Sequence, residues 1–320
     1  MKQSELTYWM ALAHADRMFT RRKNEILARV HELSTGQDTP LLSTFFEAGD
    51  EGWRTTYGLT ADEVTLMSEA RQALPNHAFM LERLQEQGYE LTTIFSPDYP
   101  TTLKQHLKYN SPLLLYSKGN RELLKQRMVA VVGARSASPV AIQFTDGIAR
   151  AMAQQGRVVV SGYAKGVDRQ ALDSALAGGG SSIVVLPQGI TTFGTGFSSL
   201  HRWIAQGRVL VLSYFAPQAP WSTGFAMARN HVVYGLADAI YVAESNNKGG
   251  TYTGVTDGLR QGREIYVRQP SSDEKNANQQ LIDMGAVAVD AQGTPIAVPA
   301  KTAVNEYPSI DFGAATDDSQ

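Results

Sequence analysis

The sequence predicts an α/β protein: an extended Rossmann-like, mostly parallel sheet with helices on both faces, preceded by a small all-helical domain. Three observations predict it. From Met128 onward, Val- and Ile-rich runs of strand length (MVAVVGA, RVVVSGY, SSIVVLP, RVLVLSY, AIYVAES, EIYVRQ) alternate with amphipathic stretches. A run that is apolar at nearly every residue marks a strand buried on both faces, as in a parallel sheet. The first run ends in Gly133-Ala134-Arg135, a loop suited to gripping a phosphate. Before residue 88 the apolar spacing is three and four residues instead, as in Tyr8, Leu12; Ile26, Leu27, Val30; and Leu41, Leu42, Phe45, Phe46.

The elements follow in order. Residues 1–87 make the helical domain, broken by turn residues at 36–40 and at Pro75-Asn76. Residues 88–290 make the Rossmann-like domain, opening with two short β-like runs at 89–95 and 113–117 that are candidate edge strands, with a short helix between them. Helices are then expected through 142–154 and 171–177, near 200–205, through 226–236 and near 255–259. Residues 291–320 are polar, punctuated by Pro and Gly and acidic at the end, which predicts a loosely ordered tail.

Composition narrows the function. A chain of 320 residues with 43% apolar content builds a sizeable core. It has no Cys, which excludes disulfides, thiolate metal sites and Cys nucleophiles and fits a reducing, cytoplasmic setting. The apolar run near the start is too short to span a bilayer. With a net charge of -2, a polyanion would have to be held by a local cluster of cations. The six His residues (14, 31, 77, 106, 201, 231) show no metal-ligand spacing, and neither a Gly-x-Ser-x-Gly elbow nor a Walker lysine loop is present.

In an open parallel sheet, ligands bind beyond the carboxyl ends of the strands. After the first strand stand Gly133, Arg135 and Ser136: glycine admits an anion close to the backbone and arginine offers a planar fork. After the second stand Ser161, Gly162, Lys165, Gly166, Asp168 and Arg169. Arg229 and Asn230 precede the run AIYVAES, and Lys248, Gly250 and Thr251 follow it. Arg135, Lys165, Arg169, Arg229 and Lys248 outnumber Asp168 and Glu244, so one edge of a near-neutral protein is positive. Plainer readings stand beside these. Gly133 can serve helix packing alone, Asp168 reads first as a helix cap, Glu244 as the partner of a neighbouring Arg, and Arg229 equally as a surface ion pair or a ligand group. The N-terminal cluster Arg17, Arg21, Arg22, Lys23 reads first as a solvated helix face.

Over about residues 5 to 290 the chain resembles the DprA/Smf DNA-processing family. The matching segments are VAVVGAR, VVSGYAKGVDRQALDSAL, the ARN at 228–230, and VAES followed by GGTYTGVTDGLRQGREIYV. Tyr8-Trp9, SPDYPTTLKQ and PLLLYSKGN resemble the segment before the family's core, where residues 1–87 take the place of its sterile-alpha-motif or helix-hairpin-helix-like domain. The resemblance implies a single-stranded-DNA-binding protein without a catalytic step or cofactor. It would act as a homodimer and aid loading of the RecA recombinase, with Gly133, Arg135, Lys165, Arg229 and Asn230 on the DNA backbone. Bases are expected to stack on Tyr163 or Tyr252.

The chain departs from the family pattern in four places. The family's Arg-Asn-Arg is Arg229-Asn230-His231; the Gly-Leu-Asp loop is Gly189-Ile190-Thr191-Thr192-Phe193-Gly194; ADRMFTRR replaces a Gly-x-Gly hairpin; and no winged helix is expected after 290. These departures motivate a second reading, an antitoxin or DNA-sensing component of a bacterial defence or toxin-antitoxin system, partnered by a toxin. A third reading is a phosphoribohydrolase of the lonely-guy type. Against it, the Gly249-Gly250-Thr251 segment lacks that family's preceding Pro and following Glu.

Overall fold

The computed structural model describes residues 3–34 and 40–297. Six helices come first: α1 (Gln3–Ala13), α2 (Thr20–Leu33), α3 (Leu42–Glu47), α4 (Gly49–Thr55), α5 (Ala61–Gln72) and α6 (Leu74–Glu86). Local chemistry sets their ends. The start of α5 is a capping box, in which Thr60 accepts from the Glu63 amide while the Glu63 side chain accepts from the Thr60 amide.

Strands and helices then alternate: β1 (Glu90–Thr93), α7 (Thr101–Leu107), β2 (Leu114–Gly119), β3 (Met128–Gly133), α8 (Pro139–Gln154), β4 (Val158–Ser161), α9 (Val167–Ala177), β5 (Ser182–Val185) and α10 (Gly194–Ala205). After these come β6 (Val209–Ser213), α11 (Thr223–Leu236), β7 (Ala239–Glu244), α12 (Gly250–Arg260), β8 (Ile265–Arg268), α13 (Asn278–Asp283) and β9 (Val287–Val289).

The nine strands form one sheet in the order β1-β2-β6-β5-β4-β3-β7-β8-β9. The seven strands from β3 to β9 pair in parallel, while β2 runs antiparallel to both β6 and β1. The chain winds outward from β3 to β6, then crosses back to place β7 on the other flank of β3. That reversal opens a crevice at the carboxyl ends of β3 and β7, the position where open α/β sheets bind ligands.

All six apolar runs are strands, and the two short runs before Met128 are the antiparallel edge pair β1–β2. The short strand β9, in the four-residue apolar run 286–289, was not expected from the sequence. α10 starts at Gly194, earlier than its apolar spacing implied, because its first turn is built of Gly, Thr and Gly.

Apolar packing joins the helices to the sheet. A single cluster contains Trp9, Phe45 and Trp53 together with Leu115, Val160 and Leu212. Trp53 lies wholly inside it, its indole Nε1 donating to the Phe45 carbonyl at 2.7 Å. The basic cluster at and just before the start of α2 is paired or buried: Arg17 pairs with Glu69, Arg21 with Glu25 and Arg22 with Glu63, while Lys23 is buried on the Ala13 carbonyl at 2.7 Å. Of the polar tail, residues 291–297 fold back in a turn, with Asp290 Oδ1 accepting from the Gln292 and Thr294 amides at 2.9 Å, and Ile296 donating to the Ala288 carbonyl. The rest of the tail lies outside the described residues. Among those, no helix is long and apolar enough to cross a membrane.

Candidate nucleic-acid interface

The loops after β3, β4 and β7 are tied together by backbone bonds. Ala134 N donates to the Glu244 carbonyl at 2.9 Å, and Val167 N to the Ala134 carbonyl at 3.3 Å. Two glycines permit this approach. A Cβ on Gly133 would lie 2.6 Å from Val167 Cγ2 and 2.9 Å from the Glu244 carbonyl oxygen, and one on Gly166 would lie 2.4 Å from the Ala134 carbonyl oxygen. Gly166 also holds φ of +79°, a region other residues rarely occupy. The loops therefore form a preset surface rather than three independent segments.

At its centre Arg229 of α11 is buried at 3% exposure. Its Nη1 donates to the Val185 carbonyl at 3.0 Å, Nη2 lies 3.9 Å from Asp168 Oδ2, and the guanidinium rests on Gly162, where a Cβ would come within 1.5 Å of Nη1. Burial pushes the Asp168 carboxyl above its ordinary range, opposed by Arg229 and by the amides of Ala164 and Gly162. Burial likewise lowers the Arg229 guanidinium, opposed by Asp168. Each charge makes the other tolerable in a poorly hydrated place. Arg229 is thus neither a surface ion pair nor a freely reaching ligand. Asp168 is not the cap of α9, a position held by Gly166; it pins the loop after β4 to Arg229.

Three clefts adjoin along this edge. The first, of about 350 Å³, is lined by Gly133, Arg135, Ser136, Asp168, Arg229, Asn230, Lys248, Gly250 and Thr251, with Met227, Tyr234 and Asn246. The second, of about 460 Å³, shares Arg135, Ser136 and Arg229 with it and adds Gly162, Tyr163, Lys165, Gln188, Phe193 and Trp221. The third, of about 480 Å³, continues past Lys248 to Asn247, Lys275 and Gln280. Arg135, Lys165, Lys248 and Lys275 are exposed along this line, and among the described residues none has a carboxylate within 4.0 Å.

Several expected contacts lie elsewhere. Ser161 is fully buried, its hydroxyl spent on the Asp168 carbonyl at 2.6 Å. Gly166 backs onto the loop after β3 and lines neither of the first two clefts. Arg169 turns away, with its guanidinium over the Tyr163 ring and Nε on Asp173 at 2.8 Å. Tyr252 packs against the core, whereas Tyr163 does reach the second cleft. Among the described residues Glu244 pairs with no arginine; it is buried and accepts from the Ser138 amide and hydroxyl at 3.2 and 2.5 Å, bracing the cap of α8. Glu244 lines none of the three clefts. His231 is exposed on α11 but lines none of the three clefts. The loop at 189–194 is strapped to the segment after β6, Gly189 N donating to the Ala219 carbonyl and Thr191 N to that of Pro217.

Three residues missed in the sequence belong to the groove. Trp221, 51% exposed, lines the second cleft, Met227 lines the first and Lys275 the third. A lone Trp in a Pro-bounded loop just ahead of Ala228-Arg229-Asn230 was a usable signal. Lys275 offered none, because its place depends on α13 folding back beside β8.

The family model for DNA recombination-mediator protein A matches residues 90–298. The chain belongs to that family. DNA processing protein DprA of Bacillus subtilis is 28% identical over 238 residues, covering 72% of this chain and 79% of its own. The X-ray structure of DprA from Streptococcus pneumoniae superposes with a TM-score of 0.73 at 24% identity, covering 92% of this chain and 96% of that one, a likeness of fold. A DprA structure from Helicobacter pylori, described for its single-stranded DNA binding mode, gives a TM-score of 0.55 at 27% identity over 62% of this chain and 90% of that one. Membership agrees with the resemblance read from the motifs. It makes the chain a DprA-type DNA-processing protein.

Proposed function

We propose that this protein binds single-stranded DNA along the groove at the carboxyl edge of its sheet, holding mainly the phosphates. The observation that carries the reading is the row of four exposed cations without carboxylate partners, Arg135, Lys165, Lys248 and Lys275, on a protein of net charge -2. The row crosses the loops after β4, β3, β7 and β8, about 15 Å at the usual strand spacing. Unpaired cations on a preset backbone suit a phosphate chain better than one compact anion, and Trp221 and Tyr163 at one end offer stacking faces to bases. The Helicobacter pylori relative's single-stranded DNA binding mode supports the same ligand.

In this reading Gly133, Ser136, Gly162, Asn230, Gly250 and Thr251 shape the wall, while Asp168 and Arg229 fix it from beneath. The family further suggests a homodimer that passes its strand to a RecA-type recombinase, and light scattering reads the dimer directly. Fluorescence anisotropy of a labelled single strand tests the site. Arg135→Ala with Lys165→Ala is expected to weaken binding at least tenfold with unchanged thermal stability; full retention of affinity would place the DNA elsewhere.

A further inference from the structure

Lys275 stands in a segment that apolar burial cannot hold. Residues 271–276 read Ser-Ser-Asp-Glu-Lys-Asn, with no apolar side chain, between the end of β8 and the start of α13. Polar bonds fix the segment instead. Arg268, buried at the end of β8, grips the Glu274 carboxylate with both arms of its fork, Nη1 to Oε1 at 2.9 Å and Nη2 to Oε2 at 2.5 Å, while its Nε donates to the Ala243 carbonyl of β7 at 2.9 Å. Glu274 in turn accepts from the Ser271 amide and hydroxyl at 3.1 Å and from Asn276 Nδ2 at 2.8 Å. Asn276 Oδ1 accepts from the Asn278 amide at 3.0 Å. The buried Asn278 side chain donates to the carbonyls of Ala243 and Arg268 at 3.1 and 2.9 Å and accepts from the Ser245 amide at 2.9 Å.

Both neighbours of Lys275 are therefore held, while its own side chain is exposed in the third cleft. The same bonds reach Ala243 and Ser245, which lead into the loop that carries Lys248 to that cleft. A bidentate arginine–carboxylate pair fixes direction as well as distance. A lysine whose backbone is already in place gives up less freedom on meeting a phosphate. We propose that Arg268, Glu274 and Asn278 are positioning residues for single-stranded DNA, holding Lys275 beside Lys248 so that both meet the phosphate chain. The proposal rests on the DNA-binding reading above and gives Glu274 an effect of definite sign. As a bare charge, a carboxylate next to groove lysines opposes a polyanion, so its removal would tighten binding. As a positioning group, its removal loosens binding.

Salt titrations of a labelled mixed-sequence single strand against the full chain test it. Lys275→Ala and Glu274→Ala are each expected to weaken binding about fivefold at 0.1 M salt and to lower the slope of log affinity on log salt by about 0.7, one phosphate contact. Combined, the two should lower the slope no further, whereas Arg135→Ala added to either should lower it again. Asn276→Ala, which changes no charge and leaves the Arg268–Glu274 pair intact, keeps the test open should Glu274→Ala fail to fold. It should show part of the same loss, and none once Lys275 is Ala. Tighter binding or an unchanged slope in Glu274→Ala, losses from Glu274→Ala and Lys275→Ala that add, or Lys275→Ala without effect would overturn the positioning role while leaving the groove in place. An unaltered protein that binds no single strand would remove the DNA-binding reading and the positioning role together.

Discussion

At the scale of single residues, the site depends most on a glycine. Gly162 leaves room for the Arg229 guanidinium, and a methyl there would lie 1.5 Å from Nη1. Gly162→Ala must therefore expel a buried cation from Val185 and Asp168, which combines overpacking with a broken charge pair and costs about 2–4 kcal/mol. A denaturation midpoint that drops while the slope is unchanged would show it; an unaltered midpoint would mean that Arg229 has another place to go.

Glu274 gives a second prediction at this scale. Arg268 holds its carboxyl down from the ordinary 4.5 to about 2, aided by the Ser271 amide and hydroxyl. A folded-state value below the unfolded one contributes stability that is complete above about pH 4.5 and disappears as pH falls toward 2. Solvent screening of the pair holds the contribution below the roughly 3 kcal/mol that the full shift would represent. Unfolding free energy followed from pH 6 to 2 should show that loss in the native chain, and Glu274→Gln should flatten it.

At the scale of elements, the account concerns how loops from distant strands combine. Arg135, Lys165, Lys248 and Lys275 come from four loops, and each neutralises about one phosphate. Single Ala substitutions should thus lower the slope of log affinity against log salt by about 0.7 apiece, the single-strand value. Each is exposed, so stability should move by less than about 0.5 kcal/mol. Trp221→Ala acts differently: loss of one stacking face should cost about 1–3 kcal/mol of affinity while leaving the salt slope unchanged. A changed slope would assign Trp221 to positioning the chain of phosphates.

The strands were legible for the same reason that they are buried: Val129, Val131, Val159 and Val184 face apolar neighbours, and their periodicity shows it. Arg135 and Lys165 were legible because they directly follow such strands. Ser161 ends β4 and Gly166 and Arg169 come after it, yet they serve local geometry rather than the groove. Sequence adjacency places a residue at an edge without saying which way it points. Lys275 was missed because nothing in its short polar segment announces that it will fold beside β8, and β9 because Ala286 to Val289 is a run of only four apolar residues.

At the scale of the whole molecule, net charge and local charge diverge. A protein of net charge -2 carries Arg135, Lys165, Lys248 and Lys275 in a row along one sheet edge with no carboxylate within 4.0 Å among the described residues, while the Arg-rich surface at the start of α2 is matched by Glu25, Glu63 and Glu69. Binding should accordingly be local and salt-sensitive. The central claim is tested most directly by titrating a labelled single strand against the intact protein at several salt concentrations, with duplex of the same sequence in parallel. Four phosphate contacts predict a slope of log affinity on log salt near -3 for the single strand, and weaker duplex binding. No binding at low salt, or an affinity indifferent to salt, would contradict the account.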